Sequence, residues 1–111
     1  MFETIEDIKV AASDVNSSVP FWFSESTMSF FNTRVIDAVF EMDEFGSLFI
    51  TADRPDTDVP EGFAIRWAHV KDELFHITTL GDVMQYRSLG EAAQAAEAIS
   101  KALPDIVRYT R

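Results

Sequence analysis

Apolar and polar residues alternate along the middle of the chain, and this alternation predicts an antiparallel sheet. From Ile36 to Met42 and again from Leu48 to Ala52 every second residue is apolar, which is typical of half-buried strands. Between the two runs, Asp43-Glu44-Phe45-Gly46 supplies a turn, since glycine can adopt the positive φ that a tight reversal requires. Residues 34–52 are therefore predicted to form a β-hairpin.

The same alternation continues over residues 63–70 and 74–80, with Lys71-Asp72-Glu73 as the turn between them. Gly81-Asp82 offers a further reversal before residues 83–86, so a short fifth strand is an alternative to a four-stranded meander. The segment from Asp53 to Gly62 contains two prolines and four acidic residues, and this composition predicts an irregular acidic loop.

Helical spacing replaces the alternation near the C-terminus. Ser88 and Glu91 have the spacing of a capping box, in which each side chain accepts a hydrogen bond from a backbone amide at the helix start. Four apolar residues then recur every three or four positions: Ala92, Ala96, Ile99 and Leu103. Pro104 is predicted to end a helix over about residues 89–103, and residues 105–111 would pair as an edge strand or fray.

A shorter helix is predicted over about residues 25–31. Ser24 is a favourable N-cap, Glu25 places a negative charge in the first turn, and Asn32 suits a left-handed helix end. Phe23 and Met28 have the spacing of a hydrophobic staple across the helix start. Residues 21–34 around this helix, the aromatic stretch, hold five of the 14 aromatic residues of the chain.

Residues 1–20 are predicted to be an extension or linker to a single domain over residues 21–111. Phe2, Ile5 and Ile8 have helical spacing, whereas Ile8-Lys9-Val10 would also suit a short strand. Residues 14–20 are polar and turn-prone.

These elements predict an α+β fold, in which an antiparallel four-stranded meander follows the short helix and is covered on one face by the C-terminal helix. A single helix covers only one face of a sheet, so the apolar residues of the other face need a second cover. They are Val35, Val39, Phe49, Phe75 and Ile77. The alternatives for this cover are the N-terminal segment, a second copy of the chain in a homodimer, and a different protein.

The chain is strongly acidic. Nine basic and 19 acidic residues give a net charge of −10 at pH 7, which opposes direct binding to nucleic acid or to an anionic membrane and favours basic protein surfaces. Since there is no apolar run of membrane length and no export signal, we expect a cytoplasmic protein. Cysteine is absent, which excludes disulfides and thiol nucleophiles.

Seven carboxylates form the candidate interaction surface, and they also motivate the hypothesis of a DNA mimic in which carboxylates occupy phosphate-like positions. They are Glu41, Asp43, Glu44, Asp53, Asp56, Asp58 and Glu61. An acidic surface that serves solubility alone is the simpler interpretation. Calcium binding by residues 53–61 is disfavoured, because the loop lacks the glycine and the regular alternation of an EF-hand.

The two histidines are a further candidate site. If Asp72-Glu73 is a two-residue turn, His69 lies opposite His76, close enough to share a metal ion or a proton, whereas a three-residue turn separates them. Two histidines without carboxylate ligands make a poor metal site. No nucleophile motif and no glycine-rich phosphate loop is present. We therefore expect no enzymatic activity, no cofactor and no metal.

The segments Phe21-Trp22-Phe23-Ser24, Ser26-Thr27-Met28, Phe30-Phe31 and Arg34-Val35 resemble the opening of a family of small uncharacterised proteins from tailed bacteriophages and prophages. In that family two short strand motifs and an alanine-rich helix follow, and residues 48–51, 63–66 and 88–102 take these places. This chain departs from the family in having Ser29 at a usually basic position, a longer acidic loop and an N-terminal extension. The resemblance implies a phage context and transfers no catalytic residue.

The acidity, the missing catalytic motifs and the resemblance together predict a non-enzymatic module that binds a host or defence protein in the bacterial cytoplasm. A DNA-mimic inhibitor of a nucleic-acid-binding enzyme, of the anti-restriction or anti-CRISPR type, is the alternative. A metal protein that uses His69 and His76 is a remote third hypothesis.

Overall fold

The computed structural model describes residues 2–109. The elements, in chain order, are α1 (Ile5–Ala12), α2 (Glu25–Ser29), β1 (Arg34–Glu41), β2 (Ser47–Asp53), β3 (Gly62–Lys71), β4 (Leu74–Leu80) and α3 (Leu89–Tyr109). The strands form one antiparallel sheet in the order β1-β2-β3-β4. The predicted α+β meander is confirmed, while the alternative fifth strand is reduced to a single bridge between Phe63 and Tyr86.

Helix α3 covers one face of the sheet, the α3 face. Ala92 and Ala96 are fully buried, and their small side chains let the helix lie close to strand residues such as Leu48 and Ile65. At the helix start, the Ser88 hydroxyl accepts a hydrogen bond from the Glu91 amide at 3.1 Å. The Glu91 carboxylate accepts one at 3.4 Å from the amide of the residue before Ser88.

The prediction that Pro104 ends this helix is wrong, because α3 continues to Tyr109. Proline costs an interior helix one hydrogen bond, but Leu103 and Val107 continue the apolar side that packs on the sheet. Tertiary packing therefore outweighs the local cost. The expected edge strand is likewise wrong for residues 105–109, and residues 110 and 111 lie outside the described residues. No helix within residues 2–109 has the length and apolar content needed to span a membrane.

The N-terminal segment covers part of the other face, the α1 face. A capping box between Thr4 and Asp7 starts α1, which buries Ile5 and Ile8 in a cluster with Phe49 and Phe75. All five apolar residues predicted on this face belong to or pack against that cluster. Of the three alternatives for covering this face, the structure therefore shows coverage by the N-terminal segment. Residues 8–10 belong to α1 and do not form a strand.

The connection after α1 is packed as well. The Phe75 amide donates to the Asn16 carbonyl at 2.8 Å, and the Ser18 amide donates to the Phe75 carbonyl at 3.0 Å, so residues 16–18 lie along the outer edge of β4. Residues 2–20 therefore pack on the sheet through the buried side chains of α1 and through the pairing of residues 16–18 with β4.

Candidate functional site

A cavity of about 460 Å³ lies under the aromatic stretch, on the α1 face beyond the part that α1 covers. Its volume is within the range of sites that hold small molecules. The lining residues of this aromatic cavity are Trp22, Ser26, Thr27, Met28, Phe30, Phe31, Thr33, Arg66 and Val83. Seven of the nine come from the aromatic stretch, so the cavity depends on how residues 22–33 fold.

Local interactions shape this segment. The Ser24 hydroxyl accepts the Thr27 amide at 3.3 Å, which confirms the predicted N-cap of α2. The helix ends at Ser29, about one half-turn earlier than predicted, and Asn32 takes the expected left-handed conformation with φ of 49°. Phe30 and Phe31 consequently leave the helix with their rings edge to face, 4.5 Å apart.

Trp22 and Phe23 connect the stretch to the sheet. The Trp22 ring contacts Phe49 edge to face at 5.6 Å, and Phe23 packs against Trp22 at 4.8 Å. Met28, predicted to form a staple with Phe23, lines the cavity. The tryptophan therefore forms one wall of the cavity and joins the stretch to the buried core of the α1 face.

Arg66 is the charged group of the cavity, and it is held in a buried polar network. Its Nε donates to Thr51 Oγ1 at 3.1 Å, and Nη1 donates to the Thr79 hydroxyl. Its Nη2 donates to Asp53 Oδ2 at 3.4 Å, and Thr33 donates to the other carboxylate oxygen at 2.6 Å. The side chains of Asp53 and Arg66 are 1% and 11% exposed.

Burial lowers the pKa of Arg66 from its ordinary value, and the Asp53 carboxylate counteracts this by raising it. Arginine stays protonated in proteins, so the two residues form an ion pair. The guanidinium also lies 5.6 Å from the centre of the Trp22 ring, a cation–π contact. Of its five N–H groups, three donate to the partners above, and the other two have no partner within residues 2–109.

Neither Trp22 nor Arg66 was identified as a site residue from sequence. One signal for Arg66 was present, because it interrupts the apolar run from Phe63 to Ala68. A charge within a buried strand requires a buried partner. The acidic composition of the loop predicts instead that this partner, Asp53, belongs to the acidic surface.

The outer rim of the cavity is apolar and open to solvent. Phe30 is 74% exposed, and Phe31 and Val83 are exposed as well. Phe21, next to Trp22 in the chain, is equally exposed at 74%. Contiguous exposed apolar residues on a folded domain are a feature of interaction surfaces.

The seven carboxylates of the predicted interaction surface do not form one patch. The expectation that Asp53 lies at the surface is wrong, since it ends β2 and faces Arg66. The remaining six lie at opposite ends of β2, whose seven residues span roughly 20 Å. Glu41, Asp43 and Glu44 are at one end, and Asp56, Asp58 and Glu61 are at the other.

The second group lies in the loop 54–61, the acidic loop, which begins beside the aromatic stretch. The Arg54 amide donates to the Phe31 carbonyl at 2.8 Å, and Asn32 Nδ2 donates to the Arg54 carbonyl at 2.9 Å. Arg34 pairs with Glu61 at 2.9 Å. The structure therefore brings the aromatic stretch and the acidic loop, which are separate in sequence, to one end of the domain.

The two histidines are directly opposite each other. Asp72 and Glu73 form a two-residue turn with φ of 54° and 67°, which confirms the alternative that pairs His69 with His76. The ring centres are 5.5 Å apart and the ring planes differ by 26°. Ring nitrogens bind metals in the plane of the ring at about 2.0 Å, so two nearly parallel rings do not converge on one ion.

One ring nitrogen of each histidine is hydrogen bonded to a hydroxyl group. His69 Nε2 is 2.8 Å from Thr78 Oγ1, and His76 Nδ1 is 2.8 Å from Ser18 Oγ. Burial lowers the pKa of His69, with smaller contributions from His76 and Lys71. Within the described part of the chain, no group of three or more histidine or carboxylate side chains could hold a metal ion.

Residues 4–97 match the model of a family of unknown function, DUF7447. The chain belongs to this family. The DUF7447 match includes α1 and every residue that lines the aromatic cavity, and it ends within α3. Searches of curated proteins and of solved structures returned no match.

Proposed function

We propose that this chain is a non-enzymatic protein-binding module, and that the aromatic cavity together with the acidic loop forms its binding site. The observation that carries the proposal is the hydrogen bonding of Arg54 to Phe31 and Asn32, which sets an exposed aromatic rim beside a group of carboxylates. An apolar centre with a charged periphery is the usual composition of a protein interface.

The exposed rings supply the binding energy in this proposal. Burying one aromatic side chain removes on the order of 150–250 Å² of surface from water, and a few such residues dominate the affinity of most interfaces. Phe30 is the best candidate, because it lines the cavity and is 74% exposed. The resemblance to phage proteins supports a host or defence protein as the partner, encountered in the bacterial cytoplasm.

Affinity capture from bacterial lysate with three forms of the chain tests the proposal. Phe30→Ser removes the exposed ring, and Val15→Ser is the matched control because Val15 is a strongly exposed apolar residue outside the cavity. We expect the wild type and Val15→Ser to retain the same partner, and Phe30→Ser to lose it by about tenfold or more. Equal capture by all three forms would refute the proposed site.

A homodimer is the alternative occupant of the same rim, and light scattering on the purified protein separates the two. A mass of one chain that is unchanged in Phe30→Ser supports a different protein as partner. A mass of two chains that falls to one in Phe30→Ser identifies a second copy instead.

The DNA mimic is a second candidate function, favoured by the net charge of −10 and by the five exposed acids among the seven predicted. It requires both carboxylate groups to act together, so binding to a basic enzyme would weaken steeply with salt. In that case Asp43→Asn and Asp58→Asn, at opposite ends of β2, would weaken binding equally. Binding through the aromatic cavity predicts an effect of Asp58→Asn alone.

A further inference from the structure

From the charges and hydrogen-bond donors around the aromatic cavity, we infer that its partner is a basic peptide segment that inserts a tyrosine side chain into the cavity. The inference rests on the proposed function, because it concerns the same site and specifies what that site recognises. Two independent features carry it, the acidic surroundings of the cavity and the two unpartnered N–H groups of Arg66.

The surroundings are acidic on several sides. Glu25 and Asp82 are exposed and directly adjoin the lining residues Ser26 and Val83. Asp56 and Asp58 are exposed in the acidic loop that begins beside Phe31. A partner segment that binds at the cavity therefore lies near exposed carboxylates, which favours lysine or arginine on either side of its anchor, the side chain that enters the cavity.

The arginines near the cavity offset only part of this acidity, since two of the three are already paired with carboxylates. Arg34 pairs with Glu61, and Arg66 pairs with Asp53. The Arg54 guanidinium donates to neutral carbonyl oxygens of its own loop at 2.8 Å and 3.2 Å, so it keeps its charge. One positive charge thus stands against the four exposed carboxylates named above, and the balance stays negative. The carboxylates of Glu25, Asp58 and Asp82 have no hydrogen-bond partner within residues 2–109, so they remain available to cations of the partner.

The anchor side chain must be compatible with a largely apolar cavity that contains one charged group, Arg66. Trp22, Phe30 and Phe31 provide aromatic contacts, and Arg66 provides two N–H donors that the protein itself does not use. An acceptor on the anchor satisfies these donors. A carboxylate is disfavoured, because Asp53 already neutralises Arg66 and the surroundings are acidic. A phenol combines a flat apolar ring with a neutral acceptor oxygen, which is the chemistry of tyrosine.

Three short synthetic peptides test the inference. The first has lysines flanking a central tyrosine, the second has phenylalanine in its place, and the third has glutamates in place of the lysines. Binding is followed by NMR on the labelled full-length chain, in which the indole N–H of Trp22 reports on the cavity. The indole of Trp67, which donates to the Phe45 carbonyl at 2.7 Å, is the internal control.

We expect the lysine–tyrosine peptide to shift the Trp22 indole signal and to leave that of Trp67 unchanged. The phenylalanine peptide should bind about tenfold more weakly, since it offers no acceptor to the two remaining N–H groups of Arg66. The glutamate peptide should not bind at the concentrations used. Asp58→Asn should weaken the lysine–tyrosine peptide severalfold, and Asp43→Asn, at the other end of β2, should not.

Equal affinity for the lysine and glutamate peptides would refute the inference that the partner segment is basic. Equal affinity for the tyrosine and phenylalanine peptides would refute the inference that its anchor is tyrosine. Absence of binding by all three peptides, or shifts confined to Trp67, also overturns the inference. None of these outcomes decides the proposed function, which stands or falls with the separate loss of partner capture in Phe30→Ser.

Discussion

Arg66 and Asp53 form a buried ion pair on the α1 face of the sheet, with 3.4 Å between Nη2 and Oδ2. They lie 13 residues apart in sequence, on β3 and at the end of β2. Thr33 donates to the same carboxylate, so one buried group joins the aromatic stretch, β2 and β3. The pair therefore holds together the segments that enclose the aromatic cavity.

Removing the charge of Asp53 should destabilise the protein strongly. In Asp53→Asn the side chain keeps its size and can still accept from Thr33, but the Arg66 guanidinium is left buried without a carboxylate. Breaking a buried pair from one side costs about 3–5 kcal/mol, and we expect the lower end of that range in urea unfolding. Glu61→Gln is the control, because it breaks the exposed pair with Arg34 and should cost less than about 1 kcal/mol. Similar losses in both variants would contradict a structural role of the buried pair.

Helix α1 should contribute to the stability of the whole domain. Ile8 is fully buried against the α1 face, whereas Val10 on the same helix is 63% exposed. We expect Ile8→Ala to lower the free energy of unfolding by about 2–4 kcal/mol, because it leaves a cavity in the packed cluster. Val10→Ala should change it by less than about 0.5 kcal/mol. If residues 1–20 acted as a linker, thermal unfolding of the two variants would coincide.

Two glycines should respond to alanine in opposite directions. Gly46 has φ of 93°, and a Cβ there would collide with the carbonyl oxygen of Ala68 on β3. Gly46→Ala should therefore destabilise the protein by about 3 kcal/mol or more. Gly90 lies in the first turn of α3, where a Cβ would approach only Ser88 Oγ at 3.9 Å. Gly90→Ala should stabilise the protein by about 0.5–1 kcal/mol. The melting temperatures of both variants test these two predictions. A shift of the same sign in both variants would contradict the conformations described for Gly46 and Gly90.

Acid should destabilise the protein partly through His69. Burial lowers the pKa of His69 in the folded chain, assisted by His76 and Lys71, whereas the unfolded chain has the ordinary value of 6.5. As the pH falls below 6.5, the unfolded state binds a proton that the folded state does not, so the free energy of unfolding decreases.

His69→Gln isolates this contribution, since glutamine can still hydrogen bond to Thr78 but does not titrate. The variant should lose less stability than the wild type between about pH 7.5 and about pH 5.5 in urea titrations. Carboxylate titration is common to both proteins and cancels in the comparison. The same loss in both would exclude His69 as a source of the pH dependence.

The sequence by itself determined most of the secondary structure, because the signals involved are local. Alternation predicted the four strands, the Ser24 cap predicted the start of α2, and the Ala92 and Ala96 spacing predicted the apolar side of α3. Each of these depends on residues only a few positions apart, where backbone geometry relates sequence directly to structure. The same locality made Pro104 misleading, since its cost is local and the packing of Val107 that outweighs it is not.

Only the tertiary structure decided the site. Whether Asp53 is an exposed acid or the buried partner of Arg66 depends on the register of β2 against β3, which pairs Asp53 with Gly62 and Phe49 with Arg66. The position of the acidic loop beside Phe31 depends in the same way on contacts between distant segments. Residue types predict which groups need partners, because burying a charge alone is too costly. The folded sheet selects which partner each group receives.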